Sequence, residues 1–439
     1  MKTITARLLA GSTAIAAVAT FAAAANAADT VRIAINQSPW LDSFIEMVDL
    51  YESETGNTVE LDVVPFTGLL EKIRNSLRAA DGDYDIVNVN ALWLPEIYSA
   101  GYLKPLAEIR EGYKLGDGTL SYGGTTYWDS TTGTFSEDGQ LLGVPLNGNV
   151  QVLYYNSEIY DRLNLEVPQD WDGLIANAKA IQAEGDAYGF VPRAARGSIV
   201  YNFTPYAYTQ NGAYVTVKGD KSVEVSINSP EVLKALEVYL TLANEAGPPN
   251  PGAIAQGEMI QLMSTGRGAQ TIGVIAAWGS FENPNESRVA GKIEATLIPA
   301  GPTGTRASSA GHWVAGIAGN VSPERQDAAL DFLDWFQGLD VQTAYVRAGG
   351  VPVRGDLGKT DLGQSEEFRF IEAYSENAAN AVMALPFPQA NEVSDALALR
   401  LNQAVIGELE PAAALNDAAD AIAEIFEREG YDVSRLPAL

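Results

Sequence analysis

Apolar and other residues alternate with period two through Val31-Arg32-Ile33-Ala34-Ile35. The spacing then turns helical between Trp40 and Glu54, where Leu41, Phe44, Ile45 and Val48 share a face. The same sequence of strand then helix recurs with Val59, Leu61 and Val63 followed by Leu70, Ile73 and Leu77, and a short buried strand, Asp85 to Val89, comes next. Strands and helices alternating at this spacing predict a parallel sheet covered by helices, with its ligand crevice at the carboxyl ends of the strands. Those ends are Asn36 to Trp40, Pro65 to Thr67 and Asn90 to Trp93, and each brings an aromatic residue into a loop.

From Glu111 to Gly139 the chain is dense in Gly, Ser, Thr and Asp and reads as a loop insertion. Gly143 to Asn149 then leads into an apolar strand, Val150 to Tyr155. Helices are expected near 170–184 and 230–246, the second started by Ser229-Pro230 and stopped by Gly247-Pro248-Pro249. A glycine-rich passage, Pro299 to Gly311, separates this part from a helix opened by Ser322-Pro323-Glu324, with Ala329, Phe332, Leu333 and Phe336 on one side. A closing helix runs from Pro411 to Glu427. No internal repeat or heptad run is present.

Composition narrows the function. With 28 Lys+Arg against 56 Asp+Glu in 439 residues, the formal charge of −28 disfavours nucleic acid or an anionic lipid surface as partner. A hydrophobic fraction of 46% places this acidity on the surface of a folded protein of two or three domains, not in a disordered chain. There is no cysteine and one histidine, His312, which removes disulfides, thiolate chemistry and paired-histidine zinc sites. No Gly-x-Ser-x-Gly elbow accompanies His312, and Gly358-Lys359-Thr360 lacks the earlier glycine of a phosphate loop, since Val353 stands there. No twelve-residue calcium loop is found, so neither metal nor cofactor is expected. A carboxylate pair for glycoside hydrolysis stays open, because the separation that matters there is spatial.

Residues 1–27 carry Lys2 and Arg7, an Ala-rich apolar stretch from Leu8 to Ala25, and small residues ahead of position 28. This is the form of a secretory signal peptide cut after Ala27, and it predicts export to the periplasm. No other segment is apolar over a span long enough to cross a bilayer.

Several segments together resemble the extracellular solute-binding proteins of carbohydrate ATP-binding-cassette importers, the structural group of maltose-binding protein. They are Asp85-Ile86-Val87 through Leu92-Trp93-Leu94-Pro95-Glu96; Gly101 to Leu106; Gly143-Val144-Pro145 through Val152 to Asn156; Pro168-Gln169-Asp170-Trp171; Ala277-Trp278-Gly279-Ser280-Phe281-Glu282 with Pro284; and Gly349-Gly350-Val351-Pro352-Val353-Arg354. The resemblance spans the chain after residue 27. One departure is Asn90, where many relatives carry an acid. The resemblance implies an α/β, two-lobe periplasmic-binding-protein fold of type II, in which crossing segments form a hinge and the ligand lies between the lobes. The crossings are expected near Leu146–Gly148, Pro299–Gly304 and Arg347–Gly350. One lobe is then 28–146 plus 301–346, and the other 147–300 plus 347–439.

A sugar or polyol presents apolar C–H faces that stack on aromatic rings and hydroxyls that need amide, carboxylate or guanidinium partners. For stacking the candidates are Trp40, Phe66, Trp93, Trp278 and Trp313, the last two beside glycines; Trp171, at a helix start, is assigned to packing. For hydroxyls they are Gln37, Asn90, Asn147, Asn149 and Asn202. Arg354 is a further candidate, because relatives reach the ligand from this position, and it admits an anionic sugar as well as a neutral one. His312 is a candidate at the rim, with a structural role as its alternative. The resemblance implies a monomeric, non-enzymatic binder of a mono- or disaccharide or sugar alcohol, delivering it to permease subunits. The competing readings are a secreted carbohydrate-cleaving enzyme, or the same fold holding glycerol phosphate or a polyamine.

Overall fold

The computed structural model describes residues 29–219 and 221–439; the segment read as a signal peptide lies outside them. The expected parallel strands form as Thr30–Asn36, Thr58–Val64 and Ile86–Asn90. They are three members of a five-stranded sheet ordered Thr58–Val64, Thr30–Asn36, Ile86–Asn90, Trp313–Ile317, Gly143–Asn147, in which Trp313–Ile317 runs antiparallel to both its neighbours. Ile33, Ile86, Val87, Val89 and Val314 are fully buried. The helices Leu41–Thr55 and Pro323–Phe336 pack together through Phe44, Tyr51, Phe332 and Phe336, with ring centroids 5.0–6.1 Å apart.

A second sheet is antiparallel throughout, with Gln151–Asn156 between Gln270–Val274 and Ile293–Thr296. Residues 188–191 run parallel beside it, held by Val191 N–H on the Gln270 carbonyl at 2.8 Å. A separate apolar core joins the helices Ile199–Thr209, Pro230–Glu245, Ala390–Val405 and Pro411–Arg428 around Phe203, Tyr206, Tyr239, Leu397 and Phe426. Helix starts follow the caps in the sequence. Asp170 accepts from Gly173 N–H at 2.9 Å, and Ser229, ahead of Pro230, accepts from Val232 N–H at 3.2 Å. Among the described residues no helix is long and apolar enough to cross a membrane.

Between the sheets three stretches of chain lie side by side. Residues 147–150 are in the middle: Gly311 N–H donates to the Asn149 carbonyl at 3.0 Å on one flank, and Gly148 N–H to the Val351 carbonyl at 3.5 Å on the other. The second passage therefore runs through residues 310–312, not through Pro299–Gly304 as the glycine content suggested. That earlier stretch makes a tight turn, with Gly304 at φ +81° and Gly301 N–H on the Thr305 carbonyl, and Ala300 pairs with Asp170. Glycine and proline there serve a turn on the surface of the second half.

At Gly148 the crowding is steric. A β-carbon there would run into the Pro352 carbonyl and the hydroxyls of Tyr122 and Tyr374, which are themselves hydrogen-bonded to each other at 2.8 Å. Gly148→Ala should therefore destabilise the protein by about 1–3 kcal/mol, the usual result of overfilling a packed position. Urea unfolding measures it, and an unchanged midpoint would show that the hinge yields freely.

Candidate functional site

Trp313 begins the strand that enters the first sheet from the crossing, so its backbone pairs with Asn90 on one side and Asn147 on the other. Its ring meets three of the aromatic residues expected from the strand ends: Trp93 at 5.7 Å, Phe66 at 6.1 Å and Trp40 at 6.2 Å between centroids. Phe66 also leans on Trp93 at 4.7 Å. Four aromatic side chains from four separate segments thus make one shelf at the carboxyl ends of the parallel strands. Trp40, Trp93 and Trp313 are buried, whereas Phe66 is 40% exposed and presents the open face.

Polar groups border this shelf. Gln37 is exposed, and its backbone N–H donates to the Val64 carbonyl at 2.9 Å, which fixes it two residues from Phe66 across the strand pair. Asn90 accepts from Leu92 N–H at 3.1 Å, capping the turn that carries Trp93. Asn147 is fully buried and donates to the Tyr345 hydroxyl at 3.1 Å, while its Oδ1 has no partner among the described residues. Asn149 accepts from Ala276 N–H at 3.3 Å and so ties the crossing to the end of the strand Gln270–Val274.

Four sequence candidates are placed elsewhere by their contacts. Asn202 is fully buried, donating to Gln151 Oε1 and the Ile272 carbonyl and accepting from Tyr239, which uses its amide inside the second core. Trp278 has the Arg369 guanidinium over its ring at 4.6 Å and Phe370 at 5.2 Å; Gly279 beside it gives room to Gly349 of the crossing region, not to a ligand. Arg354 is closed by Asp356 at 2.9 and 2.6 Å and by the carbonyls of Gln337 and Asp117, so its expected reach toward a ligand is spent inside the protein. His312 is fully buried, stacked on Tyr122 at 4.6 Å, with Nε2 at 2.7 Å from Thr125 Oγ1; it takes the structural alternative. Trp171, assigned to packing, stacks on Tyr206 at 4.3 Å and is buried.

Two residues near the crossing that leads to the shelf were not singled out by the sequence. The Tyr201 hydroxyl donates to the Ser309 carbonyl at 3.4 Å and its ring fills the space over Gly311, two residues before Trp313. The Arg193 guanidinium lies over the Tyr201 ring at 5.4 Å. The signal available was a basic pair, Arg193 and Arg196, in the loop Pro192 to Ser198 of an otherwise acidic chain.

The chain belongs to the bacterial extracellular solute-binding protein family, whose model matches residues 36–343. A binding protein of Brucella abortus (strain 2308) is 25% identical over 395 residues, covering 86% of this chain and 88% of that one. Among solved structures, an ABC transporter solute-binding protein of Agrobacterium radiobacter K84 in complex with ribitol aligns with a TM-score of 0.79 at 22% identity, covering 90% of this chain and 98% of that one. Maltose-bound MalE3 of T. maritima aligns with a TM-score of 0.77 at 22% identity, covering 91% and 100%. The two-lobe fold expected from the sequence is the fold these structures share with this chain.

The contacts of Trp278 and His312 have measurable consequences. Trp278→Ala should cost about 3–5 kcal/mol of stability, as removal of a packed aromatic does, and urea unfolding tests it. A loss well under that range would return the ring to the ligand. Burial lowers the His312 pKa from its ordinary 6.5 to about 3. The unfolded chain takes up a proton near pH 6.5 and the folded chain does not until about pH 3, so stability falls as pH drops through that window and is unaffected above it. Between about pH 7 and about pH 5, before most carboxylates titrate, the slope should approach about 1.4 kcal/mol per pH unit. His312→Gln should flatten the profile in urea unfolding; a slope equally steep in the variant would assign it to other groups.

Proposed function

We propose that this chain is the periplasmic substrate-binding component of an ABC importer, capturing a mono- or disaccharide or a sugar alcohol and handing it to the permease without catalysis. The observation that carries the reading is the shelf of Trp40, Phe66, Trp93 and Trp313, bordered by the amides of Gln37, Asn90 and Asn147. Flat apolar faces beside amide edges answer the two surfaces of a polyhydroxylated ligand. The ribitol and maltose held by the two solved relatives support the ligand class. In this reading the lobes are 29–147 with 313–350, and 148–309 with 357–439, residues 351–356 forming the third crossing, and they close over the shelf by bending where the three crossings lie together. The closed form, with its outer lobe tips at a fixed separation, is what the permease recognises, and the binder acts as a monomer.

A thermal-shift screen against pentitols, hexitols, monosaccharides and disaccharides tests the reading. A ligand at about one hundred times its dissociation constant adds about 2.7 kcal/mol, enough to raise the melting temperature by a few degrees. A flat response to every carbohydrate, with turnover of a glycan, would replace the binder by an enzyme. With the ligand found, Phe66→Ala should weaken its binding by about 1–3 kcal/mol at little cost in stability, since the ring is 40% exposed. Unchanged affinity in calorimetric titration would remove Phe66 from the site.

A further inference from the structure

Several half-buried arginines in this protein are matched to acids, whereas Arg306 is held by the carbonyls of Ile298 and Gln169 and Arg400 takes part in no ion pair among the described residues. Arg74 faces Glu96, Arg325 faces Asp85, Arg354 faces Asp356, and Arg369 faces Glu282 and Glu294. Arg193 stands apart from all of these by its unpartnered nitrogens. It takes part in no ion pair among the described residues, and its Nε and Nη1 are buried without a hydrogen-bond partner, although the residue as a whole keeps an opening to solvent. The Tyr201 ring lies under it, 5.4 Å from its centre. A guanidinium held in this way is costly, because burial strips its water and nothing replaces it. Burial accordingly lowers its pKa from the usual value.

Position gives this unsatisfied cation a purpose. Residues 188–191 run parallel to the strand Gln270–Val274, so Arg193 leaves their carboxyl end on the side where Val274 pairs with Gln151 and the crossings begin. From there Tyr201 links it to Ser309 and Gly311, and Gly311 leads to Trp313 of the shelf. Arg196, exposed in the same loop, also has no ion pair among the described residues. The loop ends at the N-terminus of the eleven-residue helix Ile199–Thr209, whose dipole adds positive potential. In a chain with twice as many acids as bases, this loop puts no carboxylate beside Arg193.

We propose that Arg193 binds an acidic group of the ligand, so that the carbohydrate carried is a sugar acid with a carboxylate, not a neutral sugar or polyol. This rests on the carbohydrate reading above. Two parallel N–H groups of a guanidinium fit the two oxygens of a carboxylate, and the anion supplies the partner that Nε and Nη1 lack.

Calorimetric titration with probes paired by charge tests it: D-gluconate against D-glucitol, D-galacturonate against D-galactose, and glycerol 3-phosphate as an anion without a sugar. The acid of at least one pair should bind about tenfold or more tightly than its neutral partner, the discrimination of a charge-assisted pair. Arg193→Gln should abolish that preference while keeping the native melting temperature, and Arg193→Lys should retain part of it. A neutral probe bound as tightly as its acid, or a preference that survives Arg193→Gln, would overturn the charge assignment and leave the carbohydrate reading standing. Glycerol 3-phosphate as the tightest probe would overturn the sugar-acid class, and binding of no sugar, polyol or sugar acid would overturn both readings.

Discussion

Everything near the cleft depends on one place where a backbone carbonyl and two tyrosine hydroxyls close in on a glycine that has no side chain to hold them off. Gly148 packs its Cα hydrogens against the Pro352 carbonyl and the paired hydroxyls of Tyr122 and Tyr374. Tyr122 comes from the loop insertion after the first parallel strands and Tyr374 from the helix Phe370–Ala379, so the contact joins distant parts of the chain. Close approach here sets the register of the middle crossing. That register puts Asn147 opposite Trp313 and Asn149 against the end of the strand Gln270–Val274. Few backbone hydrogen bonds hold the three crossings to one another, and the bond from Gly148 to Val351 is long at 3.5 Å. Lateral packing with weak ladder bonding lets lobes bend about a line without sliding along it.

The aromatic shelf follows from topology more than from any single residue. Parallel strands end together, so loops distant in sequence deliver Trp40, Phe66 and Trp93 to one edge of the sheet. The incoming strand Trp313–Ile317 then inserts its first side chain among them. Because Trp93 and Trp313 meet edge to face at 90°, their mutual packing is favourable before any ligand arrives. In the proposed binding role, rings already packed on one another would lose little freedom when a ligand met the open face of Phe66.

How far the sequence could be read depended on whether local pattern decides the outcome. Strand ends, helix caps and the period switch are local, and they predict that Trp40, Phe66, Asn90 and Trp93 come to one edge of a sheet, where they are found, while Trp313 stands out in the sequence only by the glycine near it. Trp278 and Asn202 depended on partners about 90 and 70 residues away, Arg369 and Ile272, which no local rule indicates, and Arg354 is closed both by its near neighbour Asp356 and by the distant Asp117 carbonyl. A glycine next to a tryptophan was taken as room for a ligand, and at Gly311 the room is used by Tyr201, at Gly279 by Gly349. Glycine marks close approach, but the identity of what approaches is set by tertiary packing. The second crossing was misplaced for the same reason, since Pro299–Gly304 has a turn's composition and serves as a turn.

An acidic protein carrying an anion is no contradiction. At physiological ionic strength the Debye length is about 8 Å, so the formal charge of −28 acts mainly on solubility and on distant encounter, not on a group already in the cleft. On the proposal made above, an anionic ligand would meet the local field, and the segment from Pro192 to Ser198 is basic while the amides of Asn90 and Asn147 are neutral. Elsewhere the chain spends its acids beside arginines, as Glu96, Asp85, Asp356 and Glu294 show. With so many carboxylates in the sequence, the lack of one beside Arg193 is the feature on which the proposed anion position rests.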